Sequence, residues 1–342
     1  MTKSFIESSL CQADLTFEVP IRPENLKDFT GQASVCDRLD ILISAAKHRG
    51  EALGHCLLCG PPGLGKTTLA HIIAKAMGTQ LVVTSGPAME KAGDLAGILT
   101  KLQPGDVLFI DEIHRLNRAI EEYLYPAMED YNLDIFIDSG PNASSVRLKL
   151  HPFTLIGATT RVGSLTAPLR SRFSLQCRLE YYPPEELQSI IQRTAALLKI
   201  DLTDQAAWEI ARRSRGTPRI ANNLVRWARD YATVHKADQV CEKVALKALN
   251  MLSIDELGLD EMDLRILTVM IDHYNGRHVG INAIAASVGE DASTIEEVYE
   301  PYLILQGLIC RTPRGREVTP AAYRHLKREP AAQRINTTEN IQ

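Results

Sequence analysis

Between about residues 20 and 182, short apolar runs alternate with segments of helical period. The runs are HCLLC (55–59), LVVT (81–84), DVLFI (106–110), FTLIGAT (153–159) and a weaker LQCRLE (175–180). Between them lie KTTLAHIIAKAM (66–77), IEEYLYPAMEDY (120–131) and similar stretches. Continuous apolar strands separated by helices predict a parallel sheet covered on both faces. At a Pro-Pro pair near 183 the strand pattern stops. EELQSIIQRTAALLKI, DQAAWEIARRSR, PRIANNLVRWARDYATV and EKVALKALNML then repeat apolar positions at helical spacing, which predicts a small bundle. Trp208 and Trp227 are expected in its core.

The pattern changes again near 255. EMDLRILTVMIDHY is amphipathic, GINAIAASVG is a short helix ending at Gly289, and DASTIEEVYEPYLILQGL runs from an Asp-x-Ser cap to Gly307. ICRTPRGREVTP then reads as two short strands around a Pro-Arg-Gly turn. Three helices and a hairpin are the plan of a winged helix-turn-helix. The expected organisation is an N-terminal extension (1–19), a large sheet domain (20–182), a helical domain (183–254), a winged-helix head (255–328) and a polar tail (329–342).

Composition narrows this picture. A length of 342 residues suits two or three domains, and 45% hydrophobic residues supply real cores. The charge, 38 − 42 = −4, excludes a uniformly basic nucleic-acid coat but leaves room for a local patch. No apolar run reaches the ~18–20 residues of a membrane span. The start MTKSFIESSLCQADL lacks the layout of a signal peptide, so a cytoplasmic protein without membrane contact is expected. The seven cysteines are odd in number and scattered, as reduced buried residues are. Cys56 and Cys59 form a CxxC, but in a strand i and i+3 point to opposite faces, which argues against a shared metal.

The candidate chemistry sits in the first zone. GPPGLGKTT (60–68) matches G-x-x-x-x-G-K-[ST], follows an apolar strand and opens a helix. Gly60, Gly63 and Gly65 allow backbone N–H groups to turn toward phosphate oxygens, and the helix N-terminus adds a favourable dipole. Lys66 is placed to reach the β- and γ-phosphates, and the Thr67 hydroxyl to ligate Mg²⁺. DVLFIDEIH (106–114) ends a strand in two carboxylates: Asp111 for Mg²⁺ and Glu112 to polarise the attacking water. The fold class is therefore an α/β P-loop NTPase core with a parallel sheet, then a small all-α domain and a C-terminal winged helix. Thr159 or Thr160, at the end of FTLIGATT, would stand beside the catalytic water. Arg172 follows a turn-rich stretch and Arg219 starts a helix. Residues 209–230 carry six Arg against Glu209 and Asp230, a local +4 that suits an anion.

With these residues in view, 55–160 resembles an AAA+ ATPase core. Over about 20–328 the chain resembles the RuvB family of bacterial Holliday-junction branch-migration motors. The strings that carry the resemblance, in order, are RPENLKDFTGQ, GPPGLGKTTLA, TSGPAMEKAGDLAGILT, DVLFIDEIHRL, LYPAMEDYNLDI, FTLIGATTRVGSLTAPLRSRF, RGTPRIANNL and QGLICRTPRGR. DEIH also resembles a DExH helicase box, but the other helicase motifs are missing. The resemblance implies ATP and Mg²⁺ held by Gly63, Gly65, Lys66, Thr67 and Thr68, with Asp111 a second metal ligand. It implies an adenine-contacting strip at Ile21 and Arg22, an aromatic beside the nucleotide at Tyr182, and a nucleotide-proximal stretch at Glu129, Asp130 and Tyr131. Thr160, or its neighbour Thr159, matches the polar sensor. Arg172 matches an arginine finger that enters the next subunit's site, and Arg219 a second sensor reporting the γ-phosphate to the lid. A finger supplied in trans implies a ring, in this family a homohexamer.

Two surfaces remain. Residues 256–308 hold ten acids and two bases (2 − 10 = −8), whereas 309–328 hold Arg311, Arg314, Arg316, Arg324, Lys327 and Arg328 against Glu317 (6 − 1 = +5). Positive charge packed into the wing suits phosphate contact without sequence choice, or alternatively a protein surface. The resemblance implies that Arg311 and Arg316 contact duplex and junction DNA; Ala292 stands where many members carry Arg. In LDIFIDSGPNASSVRLKL (133–150), Leu133, Ile135 and Ile137 share one apolar face, which either packs on the core or meets a partner. The resemblance makes that partner the junction-binding protein RuvA, with the RuvC resolvase also expected in the assembly. Three activities compete: a DNA-translocating motor, an AAA+ protein remodeler or clamp loader, and an ATP-gated winged-helix regulator. The basic wing disfavours the second. The Asp111–Glu112 pair and Arg172 disfavour the third.

Overall fold

The computed structural model describes residues 4–11, 15–136 and 145–329. The chain divides into two compact units, Leu15–Tyr182 and Met1–Asp14 with Pro183–Gln342.

Among the described residues, the first unit contains seven strands: β1 (Cys56–Cys59), β2 (Leu81–Ser85), β3 (Val107–Asp111), β4 (Asn132–Phe136), β5 (Ser145–Lys149), β6 (Thr154–Thr159) and β7 (Leu175–Arg178). Five form a sheet in the order β2-β3-β6-β1-β7, every pair parallel. The continuous apolar runs are strands buried on both faces: β1 and β6 are buried throughout, and β3 up to Ile110. Because β6 inserts between β1 and β3, the chain leaves those two strands toward different sides. Their C-terminal ends frame the crevice where ligands bind in open α/β sheets. His55, just before β1, fastens this core. Its Nδ1 accepts the Leu155 N–H at 2.9 Å, which leaves Nε2 to donate to the Met128 carbonyl at 3.0 Å. Burial, opposed by that carbonyl, holds the imidazole below its ordinary pKa.

Strands β4 and β5 pair only with each other, antiparallel, with Leu133 opposite Leu148 and Ile135 opposite Val146. Of the two alternatives for this face, Leu133 takes the core, which corrects its assignment to a partner surface. This residue is 0% exposed and belongs to the main core, with Leu148 packed against it, so it offers no surface to a partner. Val146, further along, is exposed. Ile137 lies outside the described residues.

In the second unit, helices Pro184–Leu197, Asp204–Arg212, Pro218–Val234 and Glu242–Met251 form the bundle. Helices Glu261–Asp272 and Ile281–Val288, a helical run over 292–305, strands β8 (Ile309–Thr312) and β9 (Gly315–Val318) and helix Pro320–His325 form the head. The N-terminal helix Phe5–Cys11 also belongs here: Ile6 is fully buried, and Ser4 Oγ lies 3.0 Å from the Tyr299 hydroxyl. Trp227 donates its indole N–H to the Ala248 carbonyl at 2.8 Å, but Trp208 is 36% exposed and is not a core residue.

Bundle and head share a buried ion pair. Arg215 donates to both Asp263 oxygens at 3.0 and 3.3 Å and stacks 4.4 Å from the Tyr302 ring centroid. Burial pushes the Asp263 carboxyl up to about 7, with Arg215 pulling it back down. Removing one partner leaves the other uncompensated. Arg215→Met is therefore expected to destabilise this unit by about 3–5 kcal/mol, and Arg215→Met with Asp263→Leu by much less. Thermal unfolding of both variants checks this; equal losses would discount the pair.

Candidate functional site

The chain turns sharply on leaving β1. Gly60, Gly63 and Gly65 have φ of 145°, 78° and 100°. A Cβ on Gly60 would stand 2.6 Å from the Leu179 carbonyl oxygen, and one on Gly65 3.0 Å from the Phe29 ring. Angle and space both require glycine at these two positions. Helix Lys66–Met77 starts directly behind the loop, so its free N–H groups face the same space. The buried Lys66 folds back over the loop, donating through Nζ to the Gly60 and Pro61 carbonyls at 2.8 Å each. Thr67 and Thr68 follow, half-buried on the first turn.

Two of the residues expected around the base, Tyr182 and Arg22, lie near this loop or its helix. The buried Tyr182 donates its hydroxyl to the Leu64 carbonyl at 3.3 Å. Ile21 is buried. Arg22 lies close enough to His71, on the loop's helix, that burial and then the Arg22 charge hold that imidazole below its ordinary pKa. Gln32 exchanges two hydrogen bonds with the Glu180 backbone, at 2.7 and 3.1 Å, tying the N-terminal strip to the segment before Tyr182. Phe29 and Gln32 carry no periodic signal; only their place in RPENLKDFTGQ could have marked them.

At the end of β3, Asp111 Oδ1 accepts the Glu112 N–H at 3.0 Å. Glu112 adopts φ 47°, a left-handed conformation that costs a non-glycine residue roughly 1 kcal/mol or more and that clusters at functional sites. Its Oε2 accepts from the Thr160 hydroxyl at 3.2 Å and lies 3.1 Å from His114 Nδ1. The same His114 nitrogen is 3.0 Å from Thr159 Oγ1, which also accepts the Arg161 N–H. Thr160 is thus the threonine on the carboxylate, while Thr159 is fully buried behind it. His114, which the sequence did not single out, joins the two.

Arg172 is engaged by three groups of its own chain. It donates to the Pro168 carbonyl at 2.8 Å and to Glu129 at 3.0 Å, and it stacks 4.4 Å from the Tyr125 ring centroid. Two expected site residues, Arg172 and Glu129, therefore sit together. Asp130 beside them is exposed. The half-buried Tyr131 ring stands edge-on to Phe153 at 5.9 Å.

The other candidates lie in the second unit. Arg219, at the start of helix Pro218–Val234, donates to the Leu10 carbonyl at 3.2 Å. The +4 of residues 209–230 already counts Glu209 and Asp230, and among the pairings here only that with Asp263, outside the stretch, lowers it, by one. Arg212 and Arg213 both pair with Glu209, Arg215 with Asp263 and Arg229 with Asp230. In the wing, Arg311 and Arg316 both pair with Glu300, and Arg328 pairs with Asp272, so the composition overstates the free positive charge there too. Among the described residues, no three His, Cys, Asp or Glu side chains could together hold a metal, and no helix is long and apolar enough to cross a membrane.

Three family models match successive parts of the chain: the Holliday junction DNA helicase RuvB P-loop domain at 21–179, the RuvB AAA lid domain at 182–255 and the RuvB C-terminal winged helix domain at 256–327. The Holliday junction branch migration complex subunit RuvB of Protochlamydia amoebophila is 65% identical over 326 residues, covering 95% of this chain and 98% of that one. Its counterpart in Chlamydia felis is 55% identical over 320 residues, covering 94% and 95%. The Thermotoga maritima RuvB Holliday junction branch migration motor superposes with a TM-score of 0.83 at 53% identity, over 91% of this chain and 99% of that chain. Sheet, phosphate loop, lid and winged head follow one another here as they do in those proteins, and the chain belongs to the RuvB family.

Proposed function

We propose that this chain hydrolyses ATP to pull duplex DNA and move Holliday junctions, working in the cytoplasm as a homohexameric ring with RuvA and alongside the RuvC resolvase. The observation that supports it most is the pairing of a built phosphate loop at the end of β1 with a hydrogen-bonded Asp111–Glu112 pair at the end of β3, Thr160 on the Glu112 carboxylate.

The chemistry follows from these groups. The loop's N–H groups cradle the phosphates, and Lys66 exchanges its two carbonyl partners for β- and γ-phosphate oxygens. Glu112 orients a water in line with the γ-phosphorus and draws on its proton as the P–O bond to ADP breaks. The hydroxyl of Thr67 and the carboxylate of Asp111 are hard oxygen donors that would hold Mg²⁺, which would supply positive charge against the developing charge of the phosphates. Among the described residues, too few carboxylates gather here for an all-protein cage, which fits an ion shared with substrate phosphates. Arg172 completes the site of the next subunit, and Arg219 passes the state of the γ-phosphate to the lid. Ile21, Arg22 and Tyr182 take the base. Ile135 and Ile137 remain the hairpin's candidates for RuvA.

A four-way-junction unwinding assay with ATP, with and without RuvA, tests the proposal. Strand separation that needs both ATP and RuvA is the expected result; steady ATP turnover with no junction movement would overturn it. Replacing Arg311 and Arg316 by Ala should weaken duplex binding equally across sequences and flatten log K against log salt by about 0.9 for every phosphate no longer neutralised. An unchanged slope would assign the wing to protein contact.

A further inference from the structure

Strands β8 and β9 place Arg311 and Arg316 directly opposite each other. Like charges so paired destabilise a hairpin. The fold resolves the conflict with one carboxylate from the preceding helix. Glu300, 1% exposed, accepts four hydrogen bonds. Arg311 donates Nε to Oε1 at 2.6 Å and Nη2 to Oε2 at 2.8 Å. Arg316 repeats the pattern at 2.9 and 3.0 Å. Burial would raise the Glu300 carboxyl, but the two guanidinium groups hold it below its ordinary pKa, so the acid is charged.

Each guanidinium is a planar fork, and each uses its Nε edge on Glu300. Neither Nη1 takes part in these bonds to Glu300. Glu296 is an outer acid, one turn earlier on the same helical run and more exposed at 38%. Its Oε1 lies 3.5 Å from Arg311 Nη2 and 3.6 Å from Arg316 Nη2. The stretch Ile295–Tyr299 is a π-helical turn, and Pro301 just beyond it has no N–H for the usual ladder. This widened turn delivers both acids to the hairpin. Two arginines and Glu300 sum to +1; Glu296 brings the cluster to zero.

We propose that Glu300 is a positioning residue for DNA binding, presenting Arg311 and Arg316 as a paired clamp for one backbone phosphate, which takes the place of Glu296. This rests on the reading of the wing as the DNA surface. The exchange of one anion for another lets an acidic helix border a DNA contact without repelling it.

Fluorescence anisotropy of the full-length chain on a labelled mixed-sequence duplex, at several salt concentrations, tests the idea. Glu300→Gln removes a negative charge, so charge alone would tighten binding; positioning requires it to weaken by about tenfold or more. Glu296→Gln removes the competitor and should tighten binding several-fold. Wild-type or tighter binding by a folded Glu300→Gln overturns the proposal, as does unchanged or weaker binding by Glu296→Gln. Thermal unfolding monitors the head, and if Glu300→Gln does not fold, the Glu296→Gln result decides. An Arg311→Ala, Arg316→Ala double variant separates the two levels. Wild-type binding by it removes the DNA reading itself, whereas weak binding by it with unchanged binding by Glu300→Gln removes only the positioning role.

Discussion

Glu112→Gln is expected to bind ATP normally and almost cease to hydrolyse it, with kcat lowered about 10²–10⁴-fold and KM little changed. The geometry makes this a clean substitution. A glutamine oxygen can still accept the Thr160 hydroxyl at the 3.2 Å position, and the Asp111 hydrogen bond runs to the Glu112 backbone, not its side chain. What the amide loses is the capacity to draw a proton from water. Single-turnover phosphate release, compared with equilibrium nucleotide binding, separates the two. Normal turnover would remove Glu112 from the mechanism.

Arg172→Ala is expected to lose about 10³-fold or more in hydrolysis, the scale of an arginine finger, and to recover part of it when mixed with Lys66→Ala subunits. The structure fixes Arg172 through Pro168, Glu129 and Tyr125 before any neighbour arrives, so its ordering entropy is already met within the chain. In a mixed ring, an Arg172→Ala subunit keeps an intact phosphate loop and can receive the arginine of a Lys66→Ala neighbour. Titrating one variant against the other at constant total protein reads the recovery. A flat line at every ratio would place the action of Arg172 inside its own subunit.

The sheet, the phosphate loop and the winged head were legible because their signals are local. A buried parallel strand is a continuous apolar run, and a glycine loop is contiguous. The hairpin shows where that legibility ends. Alternation assigns Leu133, Ile135 and Ile137 to one face, but nothing in the alternation says that the core covers Leu133. Trp208 likewise sits on an apolar stripe whose edge reaches solvent. Charge was the least legible property. The excess of arginine over 209–230 suits an anion site, but Arg215 finds its acid 48 residues away in Asp263. Sums over a window cannot see partners outside it. His114 was hidden differently: within DEIH it reads as part of a motif, and only the return of β6 beside β3 brings Thr159 to its ring.

The N-terminal helix carries a consequence for synthesis. Ser4 meets Tyr299, 295 residues later, and the Leu10 carbonyl meets Arg219, 209 residues later. At about 5–20 residues per second, the first helix waits roughly 15–60 s on the ribosome before Tyr299 is made. Until Arg219 is made, the helix of Ile6 lacks the bundle helix that it meets, while the residues of the sheet unit are all present by Tyr182. A nascent chain stalled before the bundle is made therefore keeps Ile6 uncovered at its oldest end, the kind of surface that chaperones and proteases read as unfinished.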